Sequence, residues 1–262
     1  MLAMNKPVDE PSTTFESDPW IPLLFQPGNQ FGIILVANWP PKESIMKPYD
    51  DIFLPKVKTC FKQEDFELDS KQIPAVYLYP SQHLHLTIAT FTPFHESVPN
   101  NTEEYAEVCT KIMEKACARE DWPKGSFHID IDRAQIGIKA GILMWNNEDG
   151  TVATMRKIIH EEYDAVYETN PGALNHRTLT SPGIIHSTFL RFGRDPITKG
   201  DVVQERFQEV SKDVKDIFGT IEVDCVRLVV ERVPYMHIPF DESHVLTSFE
   251  ASDQKEMQCL YN

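Results

Sequence analysis

The chain of 262 residues has few basic residues and no long apolar run. Lysine and arginine number 25 against 40 aspartate and glutamate residues, which gives a formal net charge of −15. Such a chain lacks the basic stripe that neutralises a long nucleic-acid backbone, although a few local donors suffice to hold one phosphate. No run approaches the ~18 apolar residues of a membrane span, and residues 1–20 lack the apolar core of a secretory signal. We therefore expect neither a long nucleic acid nor a membrane as a partner.

The five cysteines include no C-x-x-C pair, which disfavours a disulfide framework and a zinc site. Reduced thiols are typical of the cytoplasm or the nucleus, where we expect to find this protein as a monomer. The glycine-rich phosphate loops G-x-x-x-x-G-K-[ST] and G-x-G-x-x-G are also absent, so a nucleotide would have to be bound in another way.

Proline content and charge divide the chain into three parts. Residues 1–20 carry three prolines and several acids and are predicted to be a flexible arm. Residues 21–240 are predicted to form a single domain. Residues 241–262 form an acidic tail that we expect at the surface or partly disordered. Within the domain, apolar periodicity predicts strands at 31–39, 84–92, 127–131, 135–145, 184–192 and 221–233, and helices that begin at residues 101, 151 and 201.

Two predicted strands each carry a histidine and a hydroxyl on one face. His85 and Thr87 share a face because successive side chains of a strand alternate, and His186 and Thr188 repeat the pattern 101 positions later. A helix and then a strand follow each motif, which indicates two similar α+β units in tandem. We predict that the two strands lie side by side and direct both pairs at one phosphate.

The pattern H-x-[ST] alone is weak, because it occurs four times, at His85, His95, His176 and His186. Only the first and the last of these are flanked on both sides by the apolar residues that a core strand needs. These two are therefore the candidate catalytic histidines.

The segments HLTIATF and HSTFLRF resemble the two H-x-T/S motifs of the two-histidine phosphoesterase superfamily, which includes RNA ligase-like and cyclic nucleotide phosphodiesterase proteins. The resemblance covers roughly residues 31–233. It implies a bilobal α+β fold, with two pseudo-duplicated lobes that each have an antiparallel sheet and flanking helices around a central cleft. Ser187 departs from the family pattern, which usually has an apolar residue at this position.

The resemblance also implies a phosphoric diester hydrolase that needs no metal or other cofactor and acts on a 2′,3′-cyclic nucleotide or an RNA 3′ end. It makes His85 and His186 the acid/base pair and Thr87 and Thr188 the phosphate ligands. The residue types suit this chemistry, because an imidazole with a pKa near ~6.5 can give or take a proton near neutrality. Hydroxyls and a protonated imidazole can stabilise the phosphate charge.

Three further residues are candidates for substrate binding. Tyr235 is suited to stacking on a base, and Arg191 to binding a phosphate, although strict alternation points Arg191 away from His186 unless a bulge intervenes. His83 is predicted to share a face with His85. Two other hypotheses stay open: a metal-dependent hydrolase that uses His83 and His85, and a nucleotide-binding or scaffold module of the same fold with little turnover.

Overall fold

The computed structural model describes residues 11–24, 31–94, 102–174 and 179–250, and the structural statements below concern these residues. Their strands form two sheets in which every pairing is antiparallel. The strands are β1 (Gly32–Ala37), β2 (Val76–Leu78), β3 (Leu86–Thr92), β4 (Phe127–Ile136), β5 (Ala140–Asn146), β6 (Ile185–Phe192), β7 (Thr220–Val223), β8 (Cys225–Glu231) and β9 (Val245–Glu250).

The two motif strands belong to different sheets. The first sheet has the order β3-β1-β8-β9, and the second has the order β2-β6-β5-β4-β7. The two strands predicted to lie side by side are therefore not paired within one sheet. They meet instead where the sheets approach each other, because Thr90 of β3 exchanges two backbone hydrogen bonds of 2.7 and 3.0 Å with Thr180, just ahead of β6.

Helices cover both sheets. They are α1 (Glu43–Pro48), α2 (Leu54–Lys58), α3 (Thr102–Ala118), α4 (Thr151–Thr169), α5 (Gly200–Lys212) and α6 (Val214–Phe218). Helices α3 and α4 pack together and α4 packs on β3, while α5 and α6 pack on β4. Each long helix buries the apolar residues that recur three or four positions apart, as the sequence predicts. Residue 101, the predicted start of α3, lies outside the described residues.

The predicted bilobal α+β class is confirmed, but the lobes are not consecutive segments of the chain. The first sheet combines β1 and β3 with β8 and β9 from the far end of the sequence. The strand predicted at 221–233 divides at Asp224, so that β7 pairs with β4 in one sheet and β8 with β1 in the other. Both parts are rich in β-branched residues, and composition therefore does not reveal the crossing.

Parts of both predicted terminal segments contact the sheets. The Glu16 amide donates to the Ile138 carbonyl over 2.9 Å, and the Phe15 ring stacks on Phe192 with centroids 4.3 Å apart. In the predicted acidic tail, β9 pairs with β8 along the edge of the first sheet, where Thr247 and Ser248 weaken the apolar alternation that would have predicted a strand. Across the described ranges, no helix is long and apolar enough to cross a membrane.

Candidate active site

Both predicted His-x-Thr pairs line one cavity of about 330 Å³ between the sheets. His85 immediately precedes β3, and His186 lies near the start of β6. The lining residues come from both sheets, from the segments that follow β3 and β8, and from the segments that precede β1 and β6. They are Trp20, Ile34, His85, Thr87, Thr90, Pro93, Phe94, Pro182, His186, Thr188, Arg191, Glu231, Pro234 and Tyr235.

A β-bulge turns Arg191 toward this cavity. Thr188 pairs with Ile142 and Leu190 with Gly141, so Phe189 is an extra residue that breaks the alternation. Arg191 thus joins the face of His186 and Thr188, which is the exception to strict alternation that the sequence analysis allowed for. Gly141 makes the bulge feasible, because a Cβ atom there would lie 2.6 Å from the Phe189 ring.

A bulge of the same kind occurs in β3. Thr87 pairs with Val36 and Ala89 with Leu35, so Ile88 is the extra residue and Thr90 points the same way as Thr87. Thr90 and Arg191 are therefore equivalent third positions after the two motifs, again 101 residues apart. The two motifs thus present a hydroxyl on one side of the cavity and a guanidinium on the other.

The ring of His85 is held in place by a nearby backbone carbonyl. Its Nδ1–H donates to the carbonyl of His83 over 2.9 Å, since a carbonyl can only accept. The neutral ring then carries its lone pair on Nε2, which is the form that can take a proton. Burial lowers the pKa of His85 to about 4, and the charge on Arg191 adds to this effect, whereas the His83 carbonyl opposes it.

His186 is constrained less directly. Its Nδ1 is buried and has no hydrogen-bond partner among the described residues. Burial lowers the pKa of His186 to about 4, and charges on His85, Arg191 and Arg156 lower it further. Both imidazoles are consequently neutral at pH 7.

The two threonines and Ser187 occupy different surroundings. Among the described residues, no protein group bonds to the hydroxyl of Thr87 or Thr188, and both residues are half-buried on the cavity wall. Ser187 points the other way, is 3% exposed and accepts a hydrogen bond from Trp145 Nε1 over 3.2 Å. This bond accounts for the polar residue at a position where an apolar one was expected.

Arg191 is fixed by two neighbours. Its Nη1 donates to Asp18 Oδ2 over 2.6 Å, and its guanidinium lies 3.5 Å from the centre of the Tyr235 ring. The Tyr235 hydroxyl donates to Asp18 as well, at 2.9 Å to Oδ1 and 2.8 Å to Oδ2. Asp18 belongs to the segment predicted to be a flexible arm, and it has a structural role here that the sequence did not reveal.

Arg156 of α4 connects the two motif segments. Its Nε donates to the Ile88 carbonyl over 2.9 Å, and its Nη2 donates to the carbonyls of Thr87 and Ile184 over 3.2 Å each. One side chain thus bonds to β3 and to the residue just before β6. This role could not be predicted from the sequence, because Arg156 lies in an ordinary amphipathic helix.

His83 does not share a strand face with His85, contrary to the prediction. It ends a short 3-10 helix (Ser81–His83), is 5% exposed, and packs edge-on against His237 with ring centroids 4.3 Å apart. It does not line the cavity. In the part of the chain that the structure describes, no group of three or more His, Cys, Asp or Glu residues could hold a metal ion, so the metal-site hypothesis finds no support there.

The shifted histidines predict how stability depends on pH. An unfolded histidine takes up a proton near pH ~6.5, whereas folded His85, His186 and His237 do so only at about 4. The unfolded state therefore binds more protons between these values, and the free energy of unfolding falls as pH drops below ~6.5. Burial raises the pKa of Glu231 to about 7, so this group has the opposite effect on the free energy of unfolding. It is a single group, however, whereas three histidines are shifted.

We expect urea denaturation to show a loss of about 1–2 kcal/mol per histidine between pH 6.5 and 5. Replacing His85 and His186 by Gln should remove most of two of these contributions. Equal slopes for the variant and the wild type over this range would contradict the assigned pKa values.

No family model and no curated protein matches the chain. Among solved structures it is similar to a conserved protein of unknown function from Agrobacterium tumefaciens, with 11% identity, a TM-score of 0.51, and coverage of 92% of this chain and 95% of that one. It is also similar to LigT of E. coli complexed with 3′-AMP (12% identity, TM-score 0.43, 77% and 88% covered). A third is Usb1 of Kluyveromyces marxianus with uridine monophosphate (11% identity, TM-score 0.42, 78% and 95% covered).

At these identities the likeness to the Agrobacterium protein shows a shared fold and no more. The fold agrees with the bilobal α+β architecture that the sequence motifs imply. The function of the cavity is therefore inferred from the residues that line it.

Proposed function

We propose that this protein is a two-histidine phosphoesterase that hydrolyses the cyclic phosphate of a 2′,3′-cyclic nucleotide or an RNA end without a metal ion. The observation that carries the proposal is the single cavity lined by His85, Thr87, His186 and Thr188. The bulges support it, because they add a hydroxyl and a guanidinium to the same cavity. A cavity of about 330 Å³ has the size of a small-ligand site.

The chemistry needs one base and one acid. A neutral imidazole takes a proton from water as the water oxygen bonds to phosphorus, and the bond from phosphorus to one ribose oxygen breaks. The other imidazole, protonated when the anion binds, gives its proton to that oxygen. The product is a 2′- or 3′-phosphate monoester. Each positioned acid or base contributes about 10²–10⁴-fold to the rate.

Binding of an anion changes the protonation of the pair. In the protein alone both rings favour the neutral form because of burial. A phosphate between them favours an imidazolium and so raises the pKa of the ring that it contacts. Substrate binding thus supplies the charged acid that the second half of the step requires.

The test is hydrolysis of the four 2′,3′-cyclic nucleotides by the purified protein, followed by ³¹P NMR to identify the monoester. We expect turnover that EDTA does not change. Binding of these nucleotides without turnover would favour the nucleotide-binding module instead. Activity that EDTA removes and a divalent metal restores would contradict the metal-free mechanism.

The threonine hydroxyls are expected to act on the transition state. Thr87→Val and Thr188→Val each remove one donor to a non-bridging oxygen, so kcat should fall by about 10²-fold. Thr154→Val, at an exposed position of α4, is the matched control and should keep full activity. Unchanged kcat in both cavity variants would remove the threonines from the mechanism.

A further inference from the structure

The cavity contains a buried acid that phosphate chemistry does not explain. Glu231 ends β8, is 5% exposed, and is the only acidic residue among the described residues that line the cavity. Within the described ranges, no ion pair within 4.0 Å neutralises it. The charge on Arg191 and the N–H groups of Tyr235 and Met236 stabilise its carboxylate form, so Glu231 can stay charged beside the phosphate groups and accept a further hydrogen bond.

The surrounding backbone holds this carboxyl in place. Met236 N–H donates to Glu231 Oε1 over 2.6 Å, and both Tyr235 and Met236 have the left-handed φ values of 60° and 52°. Non-glycine residues rarely adopt this conformation, which costs on the order of 1–3 kcal/mol. Opposite Glu231 on β1 lies Gly32, where a Cβ atom would approach Oε2 to 2.9 Å. The left-handed turn at Tyr235 and Met236 and the absence of a side chain at Gly32 thus hold the Glu231 carboxyl in position.

The cavity wall to which Glu231 belongs suits a nucleoside. Besides Tyr235, it is lined by rings and apolar groups that can contact a planar base; these are Trp20, Ile34, Pro93, Phe94 and Pro234. A carboxylate has about four lone-pair sites, and the backbone N–H groups of Met236 and Tyr235 use part of them. The remaining sites can accept hydrogen bonds from a ligand.

We propose that Glu231 determines substrate specificity by accepting a hydrogen bond from a donor on the nucleoside part of the substrate. The donor is an amino or imino group of the base, or the free 5′-hydroxyl of the ribose. This inference rests on the proposed function, since it assumes that a nucleoside phosphate occupies the cavity. Burial raises the pKa of Glu231 to about 7, so the carboxylate form is best studied at pH 8.

Glu231→Gln makes a sharp test because it reverses the polarity of the site. Met236 N–H requires an acceptor, so the glutamine oxygen should stay at the position of Oε1 and its NH₂ group should take the other position. An acceptor becomes a donor with little change in volume. Glu205→Gln, at an exposed position of α5, is the matched control, and melting temperatures of all variants report on folding.

The ligands are the 2′,3′-cyclic phosphates and the 3′-monophosphates of adenosine, guanosine and cytidine, each beside an analogue that lacks the amino group. A 5′-O-methyl derivative of each ligand, which lacks the free 5′-hydroxyl, tests the ribose as the donor. We expect the wild type to favour at least one donor-bearing ligand by about 10-fold or more, and Glu231→Gln to remove that preference. A preference that disappears when the amino group is removed identifies the base as the donor. A preference that disappears on 5′-O-methylation identifies the ribose as the donor.

Both kcat/KM for the cyclic phosphates and Kd for the monophosphates should be measured. If the wild type binds without turnover, the proposed reaction fails, while the Kd preferences still decide the role of Glu231. Equal losses for all ligands in Glu231→Gln, no change for any, or no binding by the wild type would overturn the inference.

Discussion

Loss of either cavity histidine is expected to abolish hydrolysis. His85→Ala and His186→Ala should each lower kcat by about 10³-fold or more, because the reaction needs a base and an acid at the same phosphate. The double variant should lose little beyond either single variant, since residues that act as a unit are not additive. Initial rates on a 2′,3′-cyclic nucleotide measure these effects.

His128→Ala provides the matched control, because His128 is an exposed histidine on β4 that does not line the cavity. It should keep wild-type kcat. Among the described residues, His186 Nδ1 has no hydrogen-bond partner, and His85 makes one local bond to the His83 carbonyl, so the melting temperatures of the two cavity variants should stay near that of the wild type. Full activity in either cavity variant would remove the acid/base assignment.

The second large effect is expected at Arg156, which does not line the cavity of the two histidines but bonds to both motif segments. Arg156→Met leaves the carbonyls of Thr87, Ile88 and Ile184 without their charged donor. We expect a loss of about 3 kcal/mol in the free energy of unfolding. We also expect kcat/KM to fall by about 10²-fold, since small displacements of catalytic groups are costly.

The Arg156→Lys variant distinguishes the effect of the planar guanidinium geometry from the effect of the positive charge. A lysine keeps the positive charge near His186, but a single ammonium cannot span the three carbonyls as the planar guanidinium does. Both Arg156 variants should therefore lose activity, and Arg133→Met, which removes an exposed arginine paired with neighbouring Asp132, should not. Full recovery of kcat/KM in Arg156→Lys would show that charge, and not positioning, is what Arg156 contributes.

The fold was predictable where a local pattern sets the structure. Helices α4 and α5 follow from apolar residues on one face, and β3 and β6 follow from apolar residues around a polar pair. What the pattern could not reveal is how strands are shared between sheets. The division at Asp224 and the addition of β9 depend on pairing between distant segments, which leaves little trace in local composition.

The candidate site was predictable to the same extent. The two His-x-Thr pairs follow from alternation and duplicated spacing, and the structure brings all four residues to one cavity. The bulge residues Ile88 and Phe189 break that alternation, so the position of Thr90 could not be read from the sequence. Three residues of the site could not be predicted, because each acts through long-range contacts; these are Asp18, Arg156 and Glu231. A lone acid at the end of the β-branched run of β8 was the one available signal.

The central claim is that His85 and His186 act on one bound phosphate, and NMR titration of the two imidazoles tests it most directly. Their pKa values should be measured in the protein alone and with one equivalent of 3′-AMP. We predict that a single bound nucleotide raises both values from about 4 to above about 6. If the nucleotide binds and shifts only one histidine, or neither, the two rings do not share a phosphate and the account is contradicted.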